Sequence, residues 1–273
     1  MVVLTDGDSV VELVPERGAL VSRFDVGGEP LLYLDASTLA DPTKNVRGGI
    51  PVLFPAAGVI PGGTYPVEGR DVAMRRHGFA RDLPWEVRTH EKHRAVLALV
   101  ASEKTRPEYP WDFEARLTLT LTGEALRLTF AAENRDTRPM PLHLGYHPYF
   151  HVPQANKAIT RLDTTATRAW DNQAQAPVPY TGLDLTGAEV DLHVLDPSGT
   201  RTTLSRGPGL RPVELSWSSS FKTLVVWTLR GRDFVCVEPW TAPGGALRSG
   251  EGLVHVAPGE TFSSDFEIRA GPR

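Results

Sequence analysis

Three segments of this chain hold residues whose types suit work on an oxygen-rich ligand. Val235–Thr241 reads Val-Cys-Val-Glu-Pro-Trp-Thr and ends an apolar run with a carboxylate, Glu238, beside Trp240. Strand alternation puts Glu238 on the face of Phe234 and Cys236, opposite Val235 and Val237. Partial desolvation there raises a carboxyl pKa and makes a better base near neutral pH. The plain alternative is a surface glutamate at a strand end, and the residues alone leave the two readings even. Pro141–Phe150 carries His143 and His147 among Tyr146, Tyr149 and Phe150. Such an aromatic stretch, stiffened by proline, suits a sugar-sized wall. Histidines four apart raise a zinc reading, but that pair needs a helix and a Glu after the first His. Pro141, Gly145 and Pro148 oppose a helix and Leu144 follows His143, so no metal is expected; His143 reads as a hydrogen-bonded structural imidazole. In the remaining segment Arg47 precedes Gly48–Gly49, and Arg75–Arg76–His77–Gly78–Phe79–Ala80–Arg81 follows. Glycines allow close backbone approach, and each guanidinium supplies several fixed donors. Arg75 and Arg76, taken alone, read as solvated loop charges.

One chemistry uses all three segments. An imidazole protonates an oxygen near neutral pH, and a carboxylate takes a proton from a hydroxyl. Paired across one sugar ring, they open and close a hemiacetal with no metal, nucleotide or other cofactor.

The elements that must position these groups read as strands. Phe113–Leu121 alternates apolar and polar residues, Thr122–Ala125 reads as a turn, and Leu126, Leu128 and Phe130 resume the alternation: a hairpin. Ala95–Val100 and Leu224–Leu229 are continuous apolar runs, as for strands covered on both faces. Arg230–Asp233 turns the chain into Phe234–Glu238, and Phe262, Phe266 and Ile268 share the parity of a closing strand. Trp85–Arg106 lacks Gly and Pro, yet its apolar residues cluster in a block, which favours strand over helix. The expectation is an all-β fold, a large β-sandwich in one domain over residues 1–273, with functional loops at Lys44–His77 and Pro139–Pro153.

Composition bounds the rest. In 273 residues, 25 Gly and 23 Pro punctuate the chain too often for a helical bundle. Hydrophobic residues at 41% supply a sizeable core. A net charge of −4 argues against a nucleic-acid partner, which calls for a concentrated basic face. The single cysteine, Cys236, excludes an intramolecular disulfide framework and Cys-based zinc sites. No apolar run is long enough to span a membrane, and the first twenty residues lack the pattern of a signal peptide. A cytoplasmic location is therefore expected.

With these residues in order, the chain resembles the aldose 1-epimerase (galactose mutarotase-like) family. R-G-G-I-P at Arg47–Pro51, H-G-F-A-R at His77–Arg81, L-G-Y-H-P-Y-F at Leu144–Phe150 and V-E-P-W-T at Val237–Thr241 occur in the family's order, and Val256–Glu260 is similar to its usual ending. The first two motifs lean towards the hexose-6-phosphate mutarotase branch. The resemblance implies a large β-sandwich and a small-molecule aldose or hexose phosphate as partner. It implies Glu238 as the general base on the anomeric hydroxyl and His147 as the general acid on the ring oxygen. His77 would hydrogen-bond the sugar near the reacting centre. Arg47 would bind sugar oxygens or, with Arg81, a phosphate. A substrate-gripping aspartate is implied between the acid and the base; Asp191 is the candidate, with Asp184 and Asp196 as rivals. Two other functions fit less well. A sugar-binding or sugar-sensing protein on this scaffold has no need of both His147 and Glu238. A glycoside hydrolase needs two carboxylates, and Glu238 has one obvious acidic partner at most.

Overall fold

A computed structural model describes residues 1–195 and 199–273. Among these, strands dominate, and the α-helices are short, Ala36–Ala40 and Ala246–Ser249. Two eight-stranded antiparallel sheets pack face to face as a β-sandwich, with a four-stranded sheet formed by Val2–Asp6, Ser9–Val14, Leu20–Val26 and Glu29–Pro30 alongside.

The expected hairpin lies at the middle of one large sheet. Phe113–Thr122 pairs with Ala125–Asn134 in unbroken register, and the closing strand Thr261–Ala270 pairs with the latter. Period-two alternation drives Leu117, Leu119, Leu121, Leu126, Leu128 and Phe130 into the core, all fully buried. Each such side chain contributes about 1.5–3 kcal/mol of transfer free energy. The second large sheet places Thr223–Leu229 beside Phe234–Trp240, then Gly145–Tyr146 and Val52–Leu53. Val235 and Val237 face the shared core, and Tyr146 of this sheet stacks on Phe266 of the other at 5.3 Å. The 85–106 segment is extended, as two strands, Glu86–His90 and Arg94–Val100.

The two expected loops are not free of regular structure. Lys44–His77 contains Val52–Leu53 and the hairpin Thr64–Val67/Arg70–Ala73; Pro139–Pro153 contains three short strands. The segments run side by side. The backbone N–H groups of His143, His147 and Tyr149 donate to the carbonyls of Pro55, Pro51 and Gly49. Their Pro and Gly content masks this from local reading, because the strands are only two to four residues long and most find their partners far along the chain: Gly145–Tyr146 pairs with Val52–Leu53, Met140–Leu142 with Val254–Val256, and Tyr149–His151 with Phe234–Cys236. No helix among the described residues is long and apolar enough to cross a membrane.

Candidate active site

The second large sheet carries a cleft of about 840 Å³ on the face turned away from the core. Phe234–Trp240 supplies its floor. With Val235 and Val237 committed to the core, the pleat turns Cys236, Glu238 and Trp240 outward, and all three are buried there by neighbouring side chains. Glu238 is 1% exposed. Trp240 Nε1 donates to its Oε2 at 3.2 Å, and His147 Nε2 lies 3.4 Å from its Oε1. Burial, then the Asp191 carboxylate, pushes the Glu238 carboxyl well above its ordinary value, against the Trp240 hydrogen bond and the Arg76 and Arg81 cations.

His147 is fixed from several sides. Its N–H is bonded to the Pro51 carbonyl at 3.0 Å, its ring stacks on Tyr149 at 4.8 Å, and it meets the Trp227 ring edge-on at 5.7 Å. Burial, then the Arg81 and Arg76 charges, pushes its pKa down to about 3. The imidazole and the carboxyl are thus each driven towards the neutral form. A proton shared by the pair is favoured on Glu238 by the low dielectric. The two groups do not face one another across a ring-sized gap. They touch, side by side, and present adjacent positions to one ligand.

His77 lies edge-on to His147 at 5.6 Å and is 4% exposed. It adopts a left-handed φ of +68°, rare for a residue with a side chain, and is held there by Gly58. Its N–H donates to the Gly58 carbonyl and its Nδ1 accepts from the Gly58 N–H, both at 3.0 Å. A larger residue at Gly58 would be strained: its φ is +79°, and a Cβ would stand 3.0 Å from the Trp240 ring. Burial, then the nearby His147, pushes the His77 pKa well down, so this ring is neutral.

Asp191, 7% exposed, stands on the neighbouring strand Glu189–Val194. Burial raises its carboxyl, but the hydrogen bonds from His193 (3.2 Å) and Asn172 (2.8 Å) outweigh this and hold it below the ordinary value. Asp184 is exposed and caps the Thr186 turn, away from the cleft. Asp196 lies outside the described residues.

The arginines arrive at one end. Arg47 is exposed, with its guanidinium 5.5 Å above the Trp227 ring. The Arg81 side chain is 19% exposed; its Nη2 donates to the Arg76 carbonyl at 3.3 Å and its Nε is buried with no hydrogen-bond partner. Gly48 and Gly49 serve the fold rather than a ligand: a Cβ on either would strike the backbone of Leu34 or Val21 at 2.5 and 2.3 Å.

Every described residue expected at the site therefore lines this one cleft: Arg47, His77, Arg81, His147, Asp191 and Glu238. Arg75 is the solvated charge expected, paired with Glu108. His143 is structural, buried and accepting the Ala57 N–H at 3.3 Å. Arg76 departs from expectation. It lines the cleft, with Nε 3.1 Å from His77 Nε2, and its place beside the H-G-F-A-R motif was the available signal. His193 was also missed, although strand parity puts it on the face of Asp191. Asn172 comes from a separate turn and had no signal. Among the described residues, His147, Cys236 and Glu238 form a group whose ligand atoms lie within 4.8 Å of one another. Burial, then Glu238, pushes the Cys236 thiol well up, and the Arg47, Arg76 and Arg81 charges oppose a cation there.

The fold is that of the galactose mutarotase-like proteins. The aldose 1-epimerase family profile matches residues 1–269, and the chain belongs to that family. It is 35% identical to the Slr1438 protein of Synechocystis sp. PCC 6803, whose crystal structure matches with a TM-score of 0.96 over 99% of this chain and 95% of that one. A galactose mutarotase related enzyme from Lactobacillus acidophilus shares the fold at 22% identity and a TM-score of 0.81, over 99% and 97% of the two chains. A Cenchrus ciliaris protein provisionally named a glucose-6-phosphate 1-epimerase is 26% identical, over 93% of this chain and 79% of its own.

Proposed function

We propose that this isomerase interconverts the α and β anomers of a hexose, preferring a hexose 6-phosphate, with His147 and Glu238 as the acid–base pair. The contact between His147 Nε2 and Glu238 Oε1 at 3.4 Å carries the reading. A hemiacetal carbon bears both reacting oxygens, the anomeric hydroxyl and the ring oxygen. Two proton-transfer groups in contact reach both at once.

The proton count of the pair suits the reaction. For opening, the Glu238 carboxylate takes the anomeric proton while the imidazolium of His147 protonates the ring oxygen. The ring C–O bond breaks, leaving an aldehyde and a free hydroxyl, a neutral His147 and a protonated Glu238. Rotation about the C1–C2 bond turns the other carbonyl face to the hydroxyl. Closure runs the transfers backwards. The protonated-carboxyl, neutral-imidazole state is the one poised for closure. A single proton shift across the His147–Glu238 contact converts it to the state that opens.

The surroundings fit this use. His77, with Nδ1 accepting from Gly58, offers Nε2–H to a sugar oxygen. Asp191, held ionised by His193 and Asn172, accepts from sugar hydroxyls. Arg47 and Arg76 have no carboxylate partner among the described residues, and Arg81 reaches Asp82 only at 3.8 Å. Three underused guanidinium groups suit a dianionic phosphoryl group, and the provisional name of the Cenchrus ciliaris relative is consistent with that choice. A buried, free Cys236 accords with a reducing, cytoplasmic setting. The test is anomer exchange measured by NMR on glucose 6-phosphate and on glucose. The expected result is acceleration of both, greater for the phosphate. Sugar binding without acceleration would instead make the protein a sugar-binding module.

A further inference from the structure

His77 is offered one donor too many. The Gly58 N–H points at Nδ1 from 3.0 Å, and the Arg76 Nε–H points at Nε2 from 3.1 Å. A neutral imidazole has one N–H and one lone pair, so it accepts only one of these bonds. Protonating the ring removes the remaining lone pair and helps neither. The two donors are not equally placed. Gly58 is backbone, locked by a second bond from His77 N–H to its carbonyl. Arg76 is an exposed side chain with no carboxylate partner among the described residues, but its donor is charged and so intrinsically stronger. The fixed, weak backbone donor and the stronger side-chain donor compete for one lone pair.

We infer that Arg76 makes His77 responsive to the phosphoryl group of the substrate: an anion that draws the guanidinium away leaves Gly58 unopposed and sets His77 as the Nε2–H donor that the sugar needs. A phosphorylated sugar then gains twice, from the charge-assisted contacts and from a correctly protonated His77. A free sugar must displace Arg76 unaided. This inference rests on the anomerase reading for its substrate, but the behaviour of His77 is measurable without turnover.

The experiment has two arms. The first records imidazole nitrogen resonances of the whole protein by long-range proton–nitrogen correlation, with His77 assigned by substitution. Inorganic phosphate is expected to shift wild-type His77 towards the Nε2–H tautomer, and Arg76→Ala is expected to show that tautomer before phosphate is added. His77 resonances unchanged by both phosphate and the substitution overturn the inference. The second arm compares kcat/KM for the two sugars. Arg76→Ala is expected to lower the ratio of the glucose 6-phosphate value to the glucose value by about tenfold to a hundredfold, the equivalent of losing one or two charge-assisted hydrogen bonds. An equal loss on both sugars, or none on either, overturns it as well. A wild-type protein that accelerates neither sugar defeats the anomerase reading, and the first arm still decides the role of Arg76.

Discussion

Glu238→Gln tests the assignment with little disturbance to the fold. The glutamine carbonyl can keep the 3.2 Å bond from Trp240 Nε1, and its amide can donate to the neutral His147 ring at the 3.4 Å contact. The His147 proton then sits on Nδ1, which is buried without a partner, as it also is in the wild type whenever Glu238 holds the shared proton. What disappears is the capacity to take and return the anomeric proton. A positioned general base contributes about 10²–10⁴-fold, or roughly 3–5 kcal/mol of barrier. Anomer exchange is expected to fall by that factor, while binding through Asp191, His77 and the arginines persists. Stability should move the other way. A carboxyl whose folded pKa lies above its unfolded value binds its proton more tightly in the native state. Its contribution is complete below pH 4.5, the ordinary value, and is lost as pH rises towards the folded pKa. Glutamine has no proton to lose, so the melting temperature of the variant, relative to wild type, is expected to climb with pH above about 4.5. NMR exchange spectroscopy reads the rate, and melting curves at several pH values read the stability. A well-folded variant within about tenfold of wild-type exchange would refute the base assignment.

The acid limb of the pH–rate profile should lie well below neutrality and its alkaline limb above the ordinary carboxyl range. The pair works with one proton; the second joins far below pH 6.5, because His147 is held at about 3, and the last leaves only above the ordinary carboxyl range. An acid limb centred near 6.5 in kcat/KM would contradict this. The stability curve has its own acid arm. His147 and His143 are both held neutral at about 3, so they favour unfolding as pH falls below 6.5. Replacing His143 with an uncharged residue of similar size should flatten that arm in melts between pH 4 and 6.5. Trp240→Phe removes the hydrogen bond from Nε1 to Glu238 Oε2 and should move the alkaline limb of the profile upward, whereas an unmoved limb would show that Trp240 does not set that pKa. His193→Ala leaves Asp191 with Asn172 alone and should raise KM for both sugars more than it lowers kcat.

Much of this protein was legible in its linear pattern. Period-two alternation located the central hairpin and put Glu238 on the face opposite Val235 and Val237, because strand geometry is local and the core enforces parity. The motif segments likewise singled out His147, His77, Arg47 and Arg81, since their unusual residue types stand beside glycine and proline. Tertiary structure alone decided the rest. It knitted two Pro- and Gly-rich segments into short strands, because two-residue strands draw their stability from distant partners. It brought His147 and Glu238 into contact, 91 positions apart in the numbering, rather than across a ring. It also turned Arg76 from a loop charge into a competitor for His77. Proton sharing and donor competition depend on distances of about 3 Å between main chain and side chains from separate segments. No local spacing encodes such distances; the packing of sheet against segment does.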